Sequence, residues 1–146
     1  MKELSRYRIF GNNTNKLSLH DRVITSIAPK DGGICIALAP CDDTWYSSPV
    51  DSVFISHCDW EDAMINYQQR FAPFHIPLFV GRSIESEQLT KLLDKGRRLE
   101  IIEEYFGNDL LWTLAVSPYL FRQPPKVSIS FPVSSNSEII YYNSKK

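Results

Sequence analysis

The clearest hydrophobic pattern in the chain is an alternation of apolar and smaller or polar residues over positions 22–28 and 33–39. A period of two is typical of β-strands, because successive side chains point to opposite faces of a sheet. The run PKDGG separates the two segments, and its Asp31-Gly32 pair can supply the positive φ angles of a tight turn. The pattern therefore predicts a β-hairpin.

Shorter apolar or alternating runs predict five more strands, at residues 6–10, 52–57, 76–80, 126–131 and 138–142. The last two are separated by the turn-forming run PVSSNS, so we expect them to pair as a second hairpin. Residues 110–116 are also largely apolar, but so short a run is compatible with either a buried strand or a helical segment.

Helical spacing of apolar residues first occurs after position 59. Asp59 is a favoured N-cap residue type, and Pro73 would end the helix. Its apolar stripe, at the i, i+3, i+4, i+7 and i+11 positions, consists of Trp60, Ala63, Met64, Tyr67 and Phe71.

A second helix is predicted from Ser83 or Ser86 to a glycine C-cap at Gly96, with a leucine-rich face. Residues 99–106 continue a helical spacing and predict a third helix. Two acidic residues are expected on the solvent face of that helix: Glu103 and Glu104.

The predicted strands thus lie near both ends of the chain, and the predicted helices lie in its middle. This order favours an α+β fold over a doubly wound α/β fold, which would require regular strand–helix alternation. We predict that residues 1–146 form a single globular domain. Its mainly antiparallel sheet would carry two or three helices packed on one face.

Composition narrows the classes of partner. The chain is 43% hydrophobic and 23% charged, which is typical of globular proteins. Its 16 basic and 17 acidic residues give a net charge of −1, so it lacks the excess of positive charge that favours nucleic acid or anionic membranes. The charged N-terminal residues do not resemble a signal peptide, and three cysteines without a CxxC pair favour a reducing compartment. We expect a cytoplasmic protein without a membrane partner.

The adjacent residues His57, Cys58 and Asp59 are the candidates for a thiol active site. Adjacent side chains on a strand point to opposite faces, so a catalytic partner for the Cys58 thiol would more naturally be His20 or His75. A buried structural cysteine at a strand-to-helix junction is the favoured interpretation, because free cysteines are commonly buried.

No motif supports a metal, a cofactor or a known hydrolytic site. The cysteine and histidine spacing differs from that of zinc sites, and the chain lacks a P-loop and a nucleophile elbow. We therefore predict no catalytic residues, no metal and no cofactor.

The loop CDDTWYSSPVD is the preferred binding site. Tryptophan and tyrosine are enriched at interface hot spots, and the neighbouring carboxylates would suit a basic partner. The predicted partner-binding residues are Asp42, Asp43, Trp45, Tyr46 and Asp51. In the alternative interpretation, Trp45 folds back onto the sheet as a lid.

The function predicted from these features is a small cytosolic protein-binding module: an inhibitor, an immunity-type antidote or an adaptor. The first alternative is a small thiol-dependent or hydrolytic enzyme that uses Cys58 with a distant histidine. The second is a nucleic-acid binder that uses the basic cluster at residues 95–98, which the net charge disfavours. The oligomeric state is left open.

Overall fold

The computed structural model describes residues 1–11, 13–40, 49–71, 78–106, 110–118 and 126–144. They form ten strands and one α-helix, with short 3-10 turns at Asn13–Asn15 and Trp60–Asp62. The strands, in chain order, are β1 (Lys2–Arg8), β2 (Val23–Lys30), β3 (Gly33–Leu38), β4 (Ser52–Ser56), β5 (Met64–Phe71), β6 (Leu78–Ile84), β7 (Leu99–Phe106), β8 (Leu111–Pro118), β9 (Lys126–Pro132) and β10 (Glu138–Asn143). The helix is α1 (Ser86–Asp94).

All ten strands belong to one sheet with the order β1-β10-β4-β3-β2-β7-β8-β9-β5-β6. Every pairing in it is antiparallel. The antiparallel sheet is therefore predicted correctly. The predicted β2–β3 hairpin is confirmed, and its turn residues Asp31 and Gly32 have φ angles of 47° and 75°.

The sheet consists of two five-stranded halves joined by a short pairing. β2 and β7 meet through the pairs Val23–Glu100 and Ile24–Leu99. The buried residues of both halves nevertheless form one hydrophobic cluster, so the sheet is folded around a common core. Stacking of Trp60 on Phe131, with ring centroids 6.0 Å apart, is part of that core.

The chain between β1 and β2 brings β1 close to β7, although four strands lie between them in the sheet. Phe10, just after β1, contacts Phe106 at the end of β7 edge-on, with ring centroids 5.1 Å apart. Lys16 in the connecting segment reaches Glu104 on β7. The first half of the sheet is thus rolled up, and its edge strand lies near the first strand of the second half.

The predicted α+β fold with two or three helices packed on one face is wrong, because the described residues form one ten-stranded sheet and α1 is their single α-helix. Residues 60–71 form a 3-10 turn followed by β5. Asp59 does act as a cap, accepting a hydrogen bond from the Glu61 N–H at 3.1 Å. The helical stripe fails because β5 pairs on both sides, with β9 and β6, and these ladders outweigh a local preference.

Residues 99–106 also form a strand, β7, and not the predicted helix. A register shift against β8 lies between Ile101 and Glu103 and leaves Ile102 as the extra residue of a β-bulge. Before the bulge Leu99 and Ile101 are buried; after it Glu104 faces Leu114 on the buried side. The bulge interrupts the period of two, and this interruption produces the apparent helical spacing.

α1 agrees with the sequence prediction. Its N-cap is Glu85, which forms a capping box with Gln88, instead of Ser83 or Ser86. Gly96 follows the helix with a φ of 91°, a backbone angle that favours glycine. Leu89 and Leu93 are buried, because α1 packs against β2 and the Trp60–Asp62 turn.

The predicted hairpin of β9 and β10 is wrong. β9 lies between β8 and β5, whereas β10 lies between β1 and β4. Residues 133–137 therefore cross from one half of the sheet to the other, and Ser137 fixes this crossing by donating to the His57 carbonyl at 3.3 Å. Residues 111–118 form a strand, which decides the alternative left open by the sequence.

No helix in the described part of the chain is both long enough and apolar enough to cross a membrane.

Candidate functional site

A cleft of about 640 Å³ lies at the end of the sheet where the β2–β3 turn meets the segment after β4. Cavities of this size are common among small-molecule sites. Its lining combines both signs of charge with a few apolar side chains. The residues that line it are Pro29, Lys30, Asp31, Gly32, Gly33, His57, Cys58, Asp59, Trp60, Asp62, Pro132, Val133 and Ser134.

Cys58 borders this cleft but is only 6% exposed. Burial, with the nearby Asp59 and Asp62 carboxylates as smaller causes, raises the pKa of the Cys58 thiol to about 12. A thiolate is the nucleophilic form of cysteine, and these surroundings disfavour it. The environment of Cys58 thus matches a structural cysteine.

The histidines considered as partners of Cys58 are placed differently. His57 follows β4 with a φ of 51°, and its side chain is exposed. His20 is paired with Asp21, with Nδ1 2.9 Å from the carboxylate oxygen. His75 lies outside the described residues. The part of the chain that is described contains no hydrogen bond between Cys58 and an imidazole.

One residue of the predicted aromatic-acidic binding site belongs to the described part of the chain. Asp42, Asp43, Trp45 and Tyr46 lie outside the described residues. The remaining member, Asp51, uses its Oδ2 atom to accept hydrogen bonds from the backbone N–H, at 2.6 Å, and the hydroxyl of Ser144. The Asp51 carboxylate therefore joins the start of β4 to the end of β10.

The basic cluster at residues 95–98 surrounds the C-terminus of α1. The Arg98 guanidinium donates hydrogen bonds to the carbonyls of Arg97, at 2.9 Å, and Leu93, at 3.4 Å. A cation at this position interacts favourably with the helix dipole and with unpaired carbonyls. This arrangement accounts for Arg98 without a phosphate ligand.

A second group of titratable side chains is centred on Glu104, which the sequence placed in solvent. Its side chain is 9% exposed, and its Oε1 atom lies 2.6 Å from Lys16 Nζ. The other oxygen, Oε2, has no hydrogen-bond partner among the described residues. Burial raises the pKa of Glu104, and the Lys16 ammonium group lowers it by less.

Two tyrosines share this buried region. The Tyr7 and Tyr141 rings are stacked, with centroids 6.1 Å apart. Burial and the Glu104 carboxylate raise the pKa of Tyr7 to about 12. Burial, with Tyr7 and Glu104 as smaller causes, also raises the pKa of Tyr141. We call Lys16, Glu104, Tyr7 and Tyr141 the buried polar cluster.

Sequence reasoning missed this cluster because its members come from four parts of the chain. Glu103 and Glu104 read as an ordinary exposed pair, and Glu103 is indeed exposed. The β-bulge at Ile102 turns Glu104 inward, and bulges commonly re-aim side chains in this way. No short sequence motif marks such a bulge.

Exposed apolar side chains are concentrated around the second half of β7. Of the eight exposed large hydrophobic residues in the described part of the chain, five lie on β7, in the segment before β8, or against β7. Their exposed fractions range from 39% to 50%. We call these residues the β7 patch: Phe10, Ile102, Tyr105, Phe106 and Leu110.

No three or more His, Cys, Asp or Glu side chains of the described residues are grouped to hold a metal ion, and Cys41 lies outside that part. The chain matches no protein-family model, no curated protein and no solved structure.

Proposed function

We propose that the protein is a small cytosolic protein-binding module, such as an inhibitor, an antidote or an adaptor, and that it binds through the β7 patch. The supporting observation is that five exposed large hydrophobic side chains lie on β7 or close to it. Single exposed apolar residues are normal, but a group of them marks a site of interaction. Three of the five are aromatic, the class enriched at interface hot spots.

The backbone of Leu110 adds weight to this proposal. Leu110 has a φ of 63°, in the left-handed region that a leucine side chain rarely adopts, and it is 47% exposed. An asparagine or glycine would suit this backbone better in an isolated protein. A leucine held outward at this position is consistent with a contact residue.

The aromatic-acidic loop remains part of the proposal as a second contact. Asp42 and Asp43 would favour a basic partner, and Trp45 and Tyr46 would provide apolar contact area. Asp51 is less suited to this role, because its carboxylate already accepts two hydrogen bonds from Ser144.

The alternative functions have weaker support. A thiol-dependent enzyme would require Cys58 to ionise readily, whereas burial and two carboxylates raise its pKa to about 12. A nucleic-acid binder would require free cations at residues 95–98, whereas Arg98 donates to two carbonyls at the end of α1.

The proposal can be tested with the double variant Tyr105→Ala/Leu110→Asn. Asparagine tolerates a positive φ, so the substitution removes an apolar contact without adding backbone strain. Partners would be captured by cross-linking in a lysate of the native source, identified by mass spectrometry and purified for affinity measurement. We expect the double variant to weaken binding by at least about tenfold.

The matched control is Leu92→Gln, which removes a 41% exposed leucine from α1. Glutamine is a good helix former, so α1 should be preserved. The control should bind like the wild type. Equal affinity of the wild type and the double variant would refute the β7 patch as the binding surface.

A further inference from the structure

The segment of residues 13–22, which we call the strap, lies between the free edge of β1 and the face of β7. On one side the Ser5 hydroxyl donates to the Asn15 carbonyl at 2.6 Å, and the Asn15 amide donates to the Arg6 carbonyl at 3.3 Å. On the other side the Asp21 N–H donates to the Ile101 carbonyl at 2.9 Å. The strap thus covers the space between the two strands.

In the middle of the strap, one ion pair reaches the interior. Lys16 is 37% exposed at its side chain, whereas its partner Glu104 is 9% exposed, so the pair extends from the surface to the buried carboxylate. The Glu104 oxygens are both buried, and Oε2 is unpaired among the described residues. Lys16 therefore provides the main compensation for a charge that water cannot reach.

The groups facing Glu104 come from three elements: Lys16 from the strap, Tyr7 from β1 and Tyr141 from β10. Both tyrosines have raised pKa values and stay neutral from acidic to neutral pH. Glu104 is the carboxylic acid of the buried polar cluster, and carboxyl groups ordinarily change charge within that range.

Burial and Lys16 have opposite effects on the pKa of Glu104, and the larger effect decides whether rising pH opens or closes the strap. Burial disfavours the carboxylate more strongly than Lys16 favours it, so the pKa of Glu104 lies above its ordinary value when the strap is closed. If the strap opens, water hydrates the carboxylate and its pKa returns toward the ordinary value. The closed state therefore binds the proton more tightly, and raising the pH favours opening.

We propose that the strap is a pH-sensitive latch, which stays closed over Glu104 while this carboxyl is protonated and opens more often once the carboxylate has formed. The device rests on the contacts of the strap with β1 and β7 and does not depend on the proposed function. Opening would hydrate the buried polar cluster, which lies next to the contact between Phe10 and Phe106.

Hydrogen–deuterium exchange of the full chain tests the latch. Protection factors of residues 14–19, corrected for the intrinsic pH dependence of exchange, would be measured from about pH 4 to about pH 8. We expect protection in the wild type to fall with rising pH, by at most about tenfold for each pH unit. Glu104→Gln should keep these residues protected at every pH, because a neutral amide needs no counter-ion.

The matched control is Glu103→Gln, which removes the adjacent but exposed carboxylate and should leave the wild-type pH dependence unchanged. A second variant, Lys16→Met, keeps most of the apolar stem but removes the ammonium group. Its protection should fall below that of the wild type at neutral pH and approach it at acidic pH.

Each result bears on the latch. Unchanged pH dependence in Glu104→Gln, or its loss in Glu103→Gln, would overturn the proposal. If Glu104→Gln does not fold, as judged by circular dichroism, Lys16→Met decides instead. Equal protection of the Lys16→Met variant and the wild type at all pH values would then refute the latch.

Discussion

The cleft beside Cys58 and the buried polar cluster around Glu104 both gather titratable side chains, but they are assembled differently. Much of the cleft's polar lining comes from neighbours in sequence, such as His57 and Asp59, and it stays open to solvent. The cluster combines the strap, β1, β7 and β10, and its carboxylate oxygens are buried. The conspicuous run of reactive residue types thus lines an open cleft, whereas the buried ion pair is assembled from distant parts of the chain.

The difference has a physical origin. Neighbours along an extended chain point in alternating directions, so His57 is exposed while Cys58 is buried. Strong coupling requires charges that approach one another in a medium from which water is excluded. In this fold that condition is met where β1 and the strap close over β7.

The largest effect is expected at the base of the cleft, from Trp60→Ala. Trp60 is 5% exposed, stacks on Phe131 and donates from Nε1 to the Thr90 hydroxyl at 2.9 Å. Its removal should lower the free energy of unfolding by about 3–5 kcal/mol. Denaturant unfolding would measure this loss, which would identify the cleft as a packing junction between α1 and the sheet.

The control for this prediction is Trp60→Phe. Phenylalanine keeps a ring against Phe131 but cannot donate to Thr90, so a loss well below that of Trp60→Ala is expected, with about 1 kcal/mol from the hydrogen bond. A loss below about 1 kcal/mol in Trp60→Ala would contradict the assignment, since buried aromatic truncations rarely cost so little.

Elements that are encoded by neighbouring residues were predicted correctly, whereas elements that depend on distant strands were not. The β2–β3 hairpin and α1 are encoded locally, by Asp31-Gly32 and by the leucine stripe with Gly96, and both are found in the structure. β5 and β7 depend on distant partner strands and were predicted as helices. The error at β7 arises from the bulge at Ile102, which changes the spacing of apolar residues.

The same distinction applies to the candidate sites. The burial of Cys58 was predicted correctly, because free cysteines are commonly buried and Cys58 follows a predicted strand. The inward position of Glu104 was not, because it depends on the bulge and on Lys16, which is 88 positions away in the sequence. The contact between the strap and β7 produces no periodic pattern of residues in either segment, so the sequence does not reveal it.

An intermediate loss of stability is expected from Lys16→Met, and Lys30→Met is its control. Lys30 lines the open cleft and is exposed, so its loss should change stability by less than about 0.5 kcal/mol. Lys16 compensates a buried carboxylate, and its loss should cost about 1–3 kcal/mol at neutral pH, a reduced value because Lys16 is 37% exposed.

The pH dependence of this comparison has a definite sign. The pKa of Glu104 is raised in the folded protein, so its stabilising contribution is present at low pH and is lost as the pH rises through the folded value. The deficit of the Lys16→Met variant should therefore shrink in acid, where protonated Glu104 needs no cation. Thermal unfolding at several pH values would measure this deficit in stability, and a deficit that grows in acid would contradict the role assigned to Lys16.

The smallest effect on stability is expected from Cys58→Ala, at about 1 kcal/mol, because a small buried side chain is lost without an unpaired polar partner. The thiol itself provides the sharper measurement. With a pKa near 12, Cys58 should react with iodoacetamide more slowly than the partly exposed Cys35 in the folded protein, and as fast in denaturant. Peptide mapping by mass spectrometry distinguishes the two sites. Rapid alkylation of folded Cys58 at neutral pH would make the cleft chemically active and reverse the contrast with the buried polar cluster.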